Sequence, residues 1–224
     1  MDKKKIAGEK AAEYVKDGMT LGLGTGSTAF HAVNAVGELV KKGMKLQAVP
    51  TSKATEAQAR ELGIPLLTID EVEHIDLAID GVDEIDPAFN AIKGGGGALY
   101  REKVVATLAK EVIWIMDDSK LVEKIGAFHL PVEIAQYGSK QAIAKMEAYG
   151  WNPVLRVRDG KTFVTDNGNF IADLHLGAGF DIEDVYNKLS GMLGVLEHGL
   201  FLNMCKRIIV GTDEGAVVTE NPAK

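Results

Sequence analysis

Acidic residues are concentrated in the stretch DGVDEID at residues 80–86, and a second unusual stretch, KGGGGALYREK, follows at 93–103. Like charges repel each other and glycine loses much backbone entropy on folding, so a purely structural segment gains little from this composition. Asp80 and Asp83 lie three residues apart across a glycine, and both carboxylates can therefore face one pocket. Two carboxylates can divide acid and base work when their environments separate their pKa values.

The acidic cluster has two other interpretations. Asp80, Asp83 and Asp86 offer the hard oxygen ligands that Mg²⁺ prefers. Their spacing does not match a Ca²⁺-binding loop, however, and a divalent ion would repel the nearby Lys93. The structural interpretation is a charged loop that caps the next element, and we expect Glu84 and Asp86 to have solvent-exposed or capping roles.

The glycine run at 94–97 lets the backbone approach a ligand more closely than side chains would allow. Its amides precede a helical pattern and can bind a negatively charged oxygen. Lys93, directly before the run, can stabilise an oxyanion. The alternative for Lys93 is an exposed surface lysine, which is the commonest environment of that residue type.

Glu102 lies in the middle of an apolar stripe when residues 98–110 are placed at helical spacing. The apolar members of the stripe are Ala98, Leu99, Val105, Ala106 and Ala109. Burial of a carboxylate is costly and raises its pKa, which makes it a suitable proton-abstracting base near neutral pH. The alternative is a core glutamate in a structural ion pair, with Lys93 as one candidate partner.

The segment GLGTGST at residues 22–28 follows a short apolar strand and opens a helical pattern. Free N–H groups at a helix N-terminus favour phosphate, and Thr25, Ser27 and Thr28 add hydroxyl donors. A dinucleotide fingerprint would need its third glycine one place later than Gly26, and the Gly-Lys-Ser/Thr of a Walker loop does not occur. We interpret the segment as a phosphate-ester site, with a simple strand-to-helix turn as the alternative. Together with the acidic cluster, it suits proton transfer next to a carbonyl of a phosphorylated sugar.

Strands and helices alternate up to about residue 127, which predicts a Rossmann-like, mostly parallel sheet with helices on both faces. From residue 128 the pattern changes to that of a small α+β, ferredoxin-like unit, and RIIVGT at 207–212 resembles a strand that returns to the first sheet. We therefore predict a catalytic α/β domain of residues 1–127 and 205–224 and a small α+β domain of residues 128–204.

The composition excludes several classes of protein. A net charge of −7 without a long basic block argues against a nucleic-acid surface. No apolar run approaches the roughly 20 residues of a membrane helix, and the N-terminus lacks the apolar core of a signal peptide. Cys205 is the only cysteine, so no internal disulfide is possible and a reducing compartment is expected. These features predict a cytoplasmic protein that acts on a small molecule.

Four blocks of sequence, GLGTGST, DGVDEID, KGGGGALYREK and DDSK, occur in this order and spacing in type A ribose-5-phosphate isomerases, which the chain resembles over nearly its whole length. Val82 and Gly97 occupy positions where this family often has alanine. The resemblance implies reversible conversion of D-ribose 5-phosphate to D-ribulose 5-phosphate in the pentose phosphate pathway, with no metal and no organic cofactor. It also implies a homodimer or homotetramer with the small domain in subunit contacts.

The resemblance further assigns roles to individual residues. Glu102 would move a proton between C2 and C1 through an enediolate, and Asp80 and Asp83 would bind sugar hydroxyls and help to open the furanose ring. Lys93 would stabilise the oxyanion together with glycine amides. The expected substrate-binding residues are Thr25, Gly26, Ser27, Thr28, Gly81, Val82, Gly94, Gly95, Gly96 and Lys120, with Lys4 or Lys5 as a further phosphate contact. Two rival functions are a sugar-phosphate sensor without catalysis and a metal-dependent phosphatase or phosphosugar enzyme.

Overall fold

The computed structural model describes residues 2–224, which form two compact units. The first unit comprises the chain up to Val82 together with Arg101–Lys120 and Asn203–Lys224. The second unit comprises Asp83–Tyr100 and Leu121–Leu202.

Helices and strands alternate in the first half of the chain, and strands predominate in the second. The helices are α1 (Lys3–Ala12), α2 (Ser27–Lys41), α3 (Lys53–Glu61), α4 (Leu99–Leu108), α5 (Ser139–Ala148) and α6 (Ile182–Ser190). The strands up to the middle of the chain are β1 (Thr20–Leu23), β2 (Gln47–Pro50), β3 (Ile75–Gly81), β4 (Glu84–Ile85), β5 (Asn90–Ile92), β6 (Ala109–Asp117) and β7 (Leu130–Ile134). The later strands are β8 (Pro153–Leu155), β9 (Val157–Arg158), β10 (Lys161–Thr162), β11 (Phe170–Leu174), β12 (Val195–His198), β13 (Leu200–Leu202), β14 (Arg207–Thr212) and β15 (Gly215–Glu220).

The first unit is built on a six-stranded sheet with the strand order β15-β14-β6-β3-β1-β2. All neighbouring strands are parallel except β15, which pairs antiparallel with β14 at the edge. The mostly parallel sheet and the returning strand at 207–212 are therefore confirmed. Because the strands are parallel, β1, β2, β3 and β6 end at one edge of the sheet, which is where such sheets place their ligands.

The buried face of α2 anchors that helix in the apolar core of the first unit. Val33 and Val36 are buried in the core, whereas Phe30 is 50% exposed. Thr28 and Ala29 in the same turn of α2 are buried, so Phe30 lies on the outward side of the helix.

The second unit contains a four-stranded antiparallel sheet in the order β12-β7-β11-β8. Its elements follow one another as β7-α5-β8-β11-α6-β12, with the β9–β10 hairpin inserted, which is the split βαβ pattern of ferredoxin-like units. A three-stranded sheet in the order β13-β5-β4 completes this unit.

The two compact units divide the chain differently from the predicted domains. Segments 83–100 and 121–127 belong to the second unit, because β5 pairs with both β4 and β13 and the Val122 amide donates to the Ile85 carbonyl. The division into a catalytic and a small domain stays a prediction. No helix within residues 2–224 combines the length and the apolar character needed to span a membrane.

Candidate active site

Helix α4 holds Glu102 among buried apolar side chains. Glu102 is 4% exposed, and its Oε2 atom is inaccessible to solvent. The buried apolar members of the stripe are Ala98, Leu99, Val105 and Ala106. Ala109 differs from the prediction, since it is half-buried and starts β6. A Cβ atom on Gly22 would lie 2.4 Å from Val105 Cγ1, so α4 packs directly on β1 and fixes the position of Glu102.

Asp80 lies near the carboxyl end of β3 and is 3% exposed. Its Oδ1 atom accepts hydrogen bonds from the amides of Thr25, at 2.9 Å, and Gly81, at 2.7 Å. A Cβ atom on Gly24 would lie 2.0 Å from the same oxygen, so the sequence needs glycine at that point of the turn. The turn after β1 therefore holds the Asp80 carboxylate in place.

The predicted phosphate turn forms the N-terminus of α2. Gly26 is the N-cap residue, with a φ of 108° that favours glycine, and no side chain caps this helix end. The first intrahelical bond runs from the Phe30 amide to the Gly26 carbonyl, so the amides of Ser27, Thr28 and Ala29 precede it. This helix end has the amides and the dipole that favour an anion.

Two lysines lie near the edge of the sheet where the parallel strands end. Lys4 Nζ donates to Ser27 Oγ at 2.9 Å, and Lys120 lies in the short 3₁₀ helix Asp118–Lys120 after β6. Burial opposes a low pKa for Asp117, but hydrogen bonds from Ser119 and the charges of Lys120 and Lys4 lower the pKa overall. Both cations therefore act on one carboxylate at this edge.

A cluster of hydroxyl groups next to the turn was not predicted from the sequence. Thr25 Oγ1 lies 2.7 Å from Thr51 Oγ1, 2.9 Å from Ser52 Oγ and 3.3 Å from Thr55 Oγ1. The signal was present in PTSKAT, because these residues follow β2, the neighbour of β1 in the sheet. Since its amide and hydroxyl both bind within the protein, Thr25 connects Asp80 to this cluster.

In the second unit, the glycine segment turns directly against Asp83. The Gly95 amide donates to Asp83 Oδ2 at 2.8 Å, and a Cβ atom on Gly95 would lie 2.6 Å from Asp83 Oδ1. The Gly97 amide donates to the Gly94 carbonyl at 3.0 Å and closes the turn. Gly94 and Gly97 have φ values of 102° and 91°, which other residues rarely adopt.

Lys93 is buried rather than exposed, so its interpretation as a surface lysine is wrong. It is 2% exposed, and its amide donates to the Gly199 carbonyl at 2.9 Å. Its Nζ atom lies 5.3 Å from the centre of the Phe201 ring, within the range of a cation–π interaction. A buried ammonium group is costly unless it is paired and hydrogen-bonded.

The other two acidic residues of DGVDEID bind backbone amides. Glu84 is buried and accepts from the amides of Gly126 and Phe128, each at 2.7 Å, so the expectation of a solvent-exposed residue is wrong for it. Asp86 Oδ1 accepts from the amides of Ala88 and Asn90, both at 2.9 Å, which is a capping role. Within residues 2–224, no group of three or more His, Cys, Asp or Glu side chains is arranged to hold a metal ion.

The expected site residues thus fall into one set in each unit. The first unit holds Thr25, Gly26, Ser27, Thr28, Asp80, Gly81, Val82, Glu102 and Lys120, and the second holds Asp83, Lys93, Gly94, Gly95 and Gly96. Gly81 ends β3, and Val82, which follows it, is buried.

Residues 47–215 match the sequence model of the family described as ribose 5-phosphate isomerase A (phosphoriboisomerase A). The chain belongs to the ribose 5-phosphate isomerase A family. A ribose-5-phosphate isomerase A of Streptococcus gordonii is 52% identical to it over 218 residues, which is 97% of each chain. A chain of this family is an aldose–ketose isomerase, and the similarity extends over nearly the full length of both proteins.

Solved structures of ribose 5-phosphate isomerases have the same fold. That of the Methanocaldococcus jannaschii enzyme superimposes with a TM-score of 0.92 at 35% identity and covers 98% of both chains. A D-ribose-5-phosphate isomerase in complex with phospho-erythronic acid gives a TM-score of 0.93 at 37% identity, again with 98% of both chains covered. The predicted α/β fold, with its mostly parallel sheet, is therefore confirmed.

Proposed function

We propose that this member of the ribose 5-phosphate isomerase A family interconverts D-ribose 5-phosphate and D-ribulose 5-phosphate without a metal ion, and that Glu102 is the base. The observation that carries the assignment is the burial of the Glu102 carboxylate on α4, 4% exposed among apolar side chains. A carboxylate held away from water can take a carbon-bound proton without competition from solvent.

The reaction needs one proton to move between neighbouring carbons. Glu102 takes the proton from C2 of the open-chain aldose, the electrons of that bond form an enediolate, and the protonated Glu102 returns the proton to C1. The net reaction also carries the hydroxyl proton from O2 to O1, so no oxidant or reductant is consumed. Negative charge develops on oxygen in the enediolate, and we assign its stabilisation to Lys93 with the amides of Gly94 and Gly96, since the Gly95 amide binds Asp83.

The two aspartates have different surroundings and distinct proposed tasks. Asp80 is buried and held by the amides of Thr25 and Gly81, whereas Asp83 is partly exposed and held by the Gly95 amide. We assign both to the sugar hydroxyls and to opening of the furanose ring. A fixed carboxylate suits this task because it can accept a hydroxyl proton without first reorienting.

The phosphate group of the substrate is assigned to the N-terminus of α2. Amides of Gly26, Ser27 and Thr28 lie at this helix end, and Lys4 and Lys120 supply positive charge at the same edge of the sheet. A phosphate dianion suits this combination of amides, helix dipole and cations. Thr25 is assigned to positioning this turn, because its own polar groups bind Asp80 and the hydroxyl cluster.

Homo-oligomer formation and a cytoplasmic location complete the proposal. Tyr137 and Leu193, both in the second unit, are almost fully exposed apolar side chains and would gain from burial in a subunit contact. The chain has a single cysteine, Cys205, so no internal disulfide is possible, and burial raises its pKa to about 12, which keeps it a protonated thiol. We expect a homodimer or homotetramer.

Formation of ribulose 5-phosphate from ribose 5-phosphate by the purified chain, in excess EDTA, tests the proposed function. Robust turnover is the expected result. Turnover that appears only after addition of Mg²⁺ would contradict the metal-free mechanism. Tight binding of ribose 5-phosphate without turnover in either condition would indicate a sensor instead.

A further inference from the structure

The Arg156 guanidinium group binds two carbonyl groups of the glycine turn. Its side chain is 9% exposed, and its Nη1 atom donates to the carbonyl oxygens of Gly94, at 2.9 Å, and Gly95, at 3.1 Å. Its Nε atom donates to Asp173 Oδ2 at 2.8 Å, and Nη2 donates to the other oxygen of the same carboxylate. One guanidinium group therefore joins a buried carboxylate to two consecutive peptide groups.

Both ends of this ion pair are fixed by the sheet of the second unit. The Arg156 amide donates to the Ile171 carbonyl at 2.8 Å, and the Arg156 carbonyl accepts from the Phe163 amide at 2.9 Å. Asp173 lies in β11, where it pairs with strands on both sides. A planar fork held in this way fixes direction as well as distance.

Anchoring a carbonyl also orients the amide of the same peptide group. In a trans peptide the C=O and N–H bonds point in opposite directions, and residues 2–224 contain no cis peptide bond. Because the Gly94 and Gly95 carbonyls bind the same Arg156 nitrogen, the amides of Gly95 and Gly96 both point away from it. The Gly95 amide does meet Asp83 on that side, at 2.8 Å.

Stability alone is a weak reason for this arrangement. A buried Arg–carboxylate pair rarely exceeds the stability of apolar residues of the same size, because both charges lose their hydration. The glycines of the turn also lack side chains that could hold it, so its conformation depends on contacts to the backbone. The guanidinium group supplies such contacts. It binds the carbonyl oxygens of the two peptide groups that contain the Gly95 and Gly96 nitrogens.

We propose that Arg156 is a positioning residue for the isomerisation: by holding the Gly94 and Gly95 carbonyls, it aims the Gly96 amide at the developing oxyanion. The inference rests on the proposed function. Arg156 acts through the turn and does not touch the reacting atoms. Its loss therefore affects the charged intermediate more than the bound sugar.

Arg156→Lys tests this role, because lysine keeps the charge but its single Nζ atom cannot bind both carboxylate oxygens and both carbonyls. We expect kcat to fall by about 10- to 100-fold while KM changes by less than about threefold. We also expect weaker inhibition by phospho-erythronic acid, a planar carboxylate that resembles the enediolate, with unchanged inhibition by inorganic phosphate. Faster amide hydrogen exchange across residues 93–99 would accompany these changes.

Arg158→Lys is the matched control, since Arg158 is exposed on β9 and its guanidinium lies over the Phe163 ring at 4.3 Å. It should leave kcat and hydrogen exchange unchanged. If Arg156→Lys does not fold, the double variant Arg156→Gln, Asp173→Asn removes both charges together and leaves no unpaired charge. The same fall in kcat is expected in that variant.

The outcomes separate the two proposals. Wild-type turnover combined with an unchanged kcat in a folded Arg156 variant would overturn the positioning role and leave the proposed function intact. A rise in KM for ribose 5-phosphate, together with an equal weakening of inhibition by inorganic phosphate, would also overturn the positioning role. Such a result would show general damage to substrate binding. Absence of turnover in the wild-type chain would refute the proposed function, and the positioning role with it.

Discussion

The Thr25 amide donates to Asp80 Oδ1 at 2.9 Å, and this bond joins the turn that follows β1 to the end of β3. Both strands are parallel neighbours in the sheet, so the bond forms where two carboxyl ends meet. The phosphate turn and the acidic cluster, which are separated by more than fifty residues in the sequence, are thereby fixed to each other within the first unit. A substitution in the turn after β1 should therefore displace the Asp80 carboxylate.

Replacement of Gly24 by alanine tests this connection. The new Cβ atom would lie 2.0 Å from Asp80 Oδ1 and 2.5 Å from Asp80 Cα, so the aspartate must move. We expect a loss of about 1–3 kcal/mol in the free energy of unfolding, as for other overpacked sites, and a fall in kcat/KM of about 100-fold. Steady-state kinetics and chemical denaturation measure the two effects. Gly191→Ala is the control, because its Cβ atom would meet only the Asn187 carbonyl at an ordinary 3.7 Å.

Glu102→Gln should abolish most turnover without loss of binding. Glutamine keeps the shape of the side chain but cannot take the C2 proton, so we expect kcat to fall by about 10²–10⁴-fold with KM nearly unchanged. Glu111→Gln, which alters a half-exposed glutamate paired with Lys206, should retain activity. Near-normal turnover of the Glu102 variant would contradict its role as the base.

Lys93→Ala should lower kcat more than it raises KM. The charge of Lys93 is assigned to the enediolate oxygen, so its removal destabilises the transition state more than the bound sugar. We expect a decrease in kcat of about 100- to 1,000-fold, as for the loss of an oxyanion-stabilising donor. Lys140→Ala on the exposed side of α5 is the control. An effect confined to KM would assign Lys93 to ground-state binding instead.

Short-range sequence patterns predicted the features of this structure that depend on the burial of one face of a single helix or strand. The spacing of the apolar residues placed Glu102 on a buried stripe, and strand–helix alternation indicated the parallel sheet, because both follow from covering one face of each element. Phe30 lies at helical spacing from Val33 but is 50% exposed, while Thr28 and Ala29 of the same turn are buried, so spacing alone did not identify the inward side of this turn.

Long-range pairing explains what the sequence did not reveal. Segment 83–100 belongs to the second unit because β5 pairs with β13, more than a hundred residues later, and no local pattern encodes that partner. Arg156 was missed for a similar reason: in PVLRVRD an arginine reads as an exposed strand residue. Its burial depends on Asp173, which pairing between β8 and β11 brings close.

His129 provides a test of the surroundings of Asp173 through pH. Its Nε2 atom lies 3.3 Å from Asp173 Oδ1, beside the carboxylate that binds Arg156. Burial lowers the pKa of His129 below its usual value; Asp173 opposes this effect, and Arg156 and His175 add to it. The unfolded chain therefore takes up a proton at this position at a higher pH than the folded chain does, and stability falls as the pH decreases through the ordinary histidine pKa.

His129→Gln removes this titration, whereas the other titrating groups remain in both proteins and cancel in a comparison. We expect the free energy of unfolding of the wild type, relative to the variant, to decrease between about pH 7.5 and about pH 5. Urea denaturation at both pH values measures the difference. His74→Gln, which changes an exposed histidine near Asp76, is the control. The same wild-type advantage at both pH values would mean that His129 titrates alike in the folded and unfolded chains, and that burial beside Asp173 and Arg156 does not disfavour its charge.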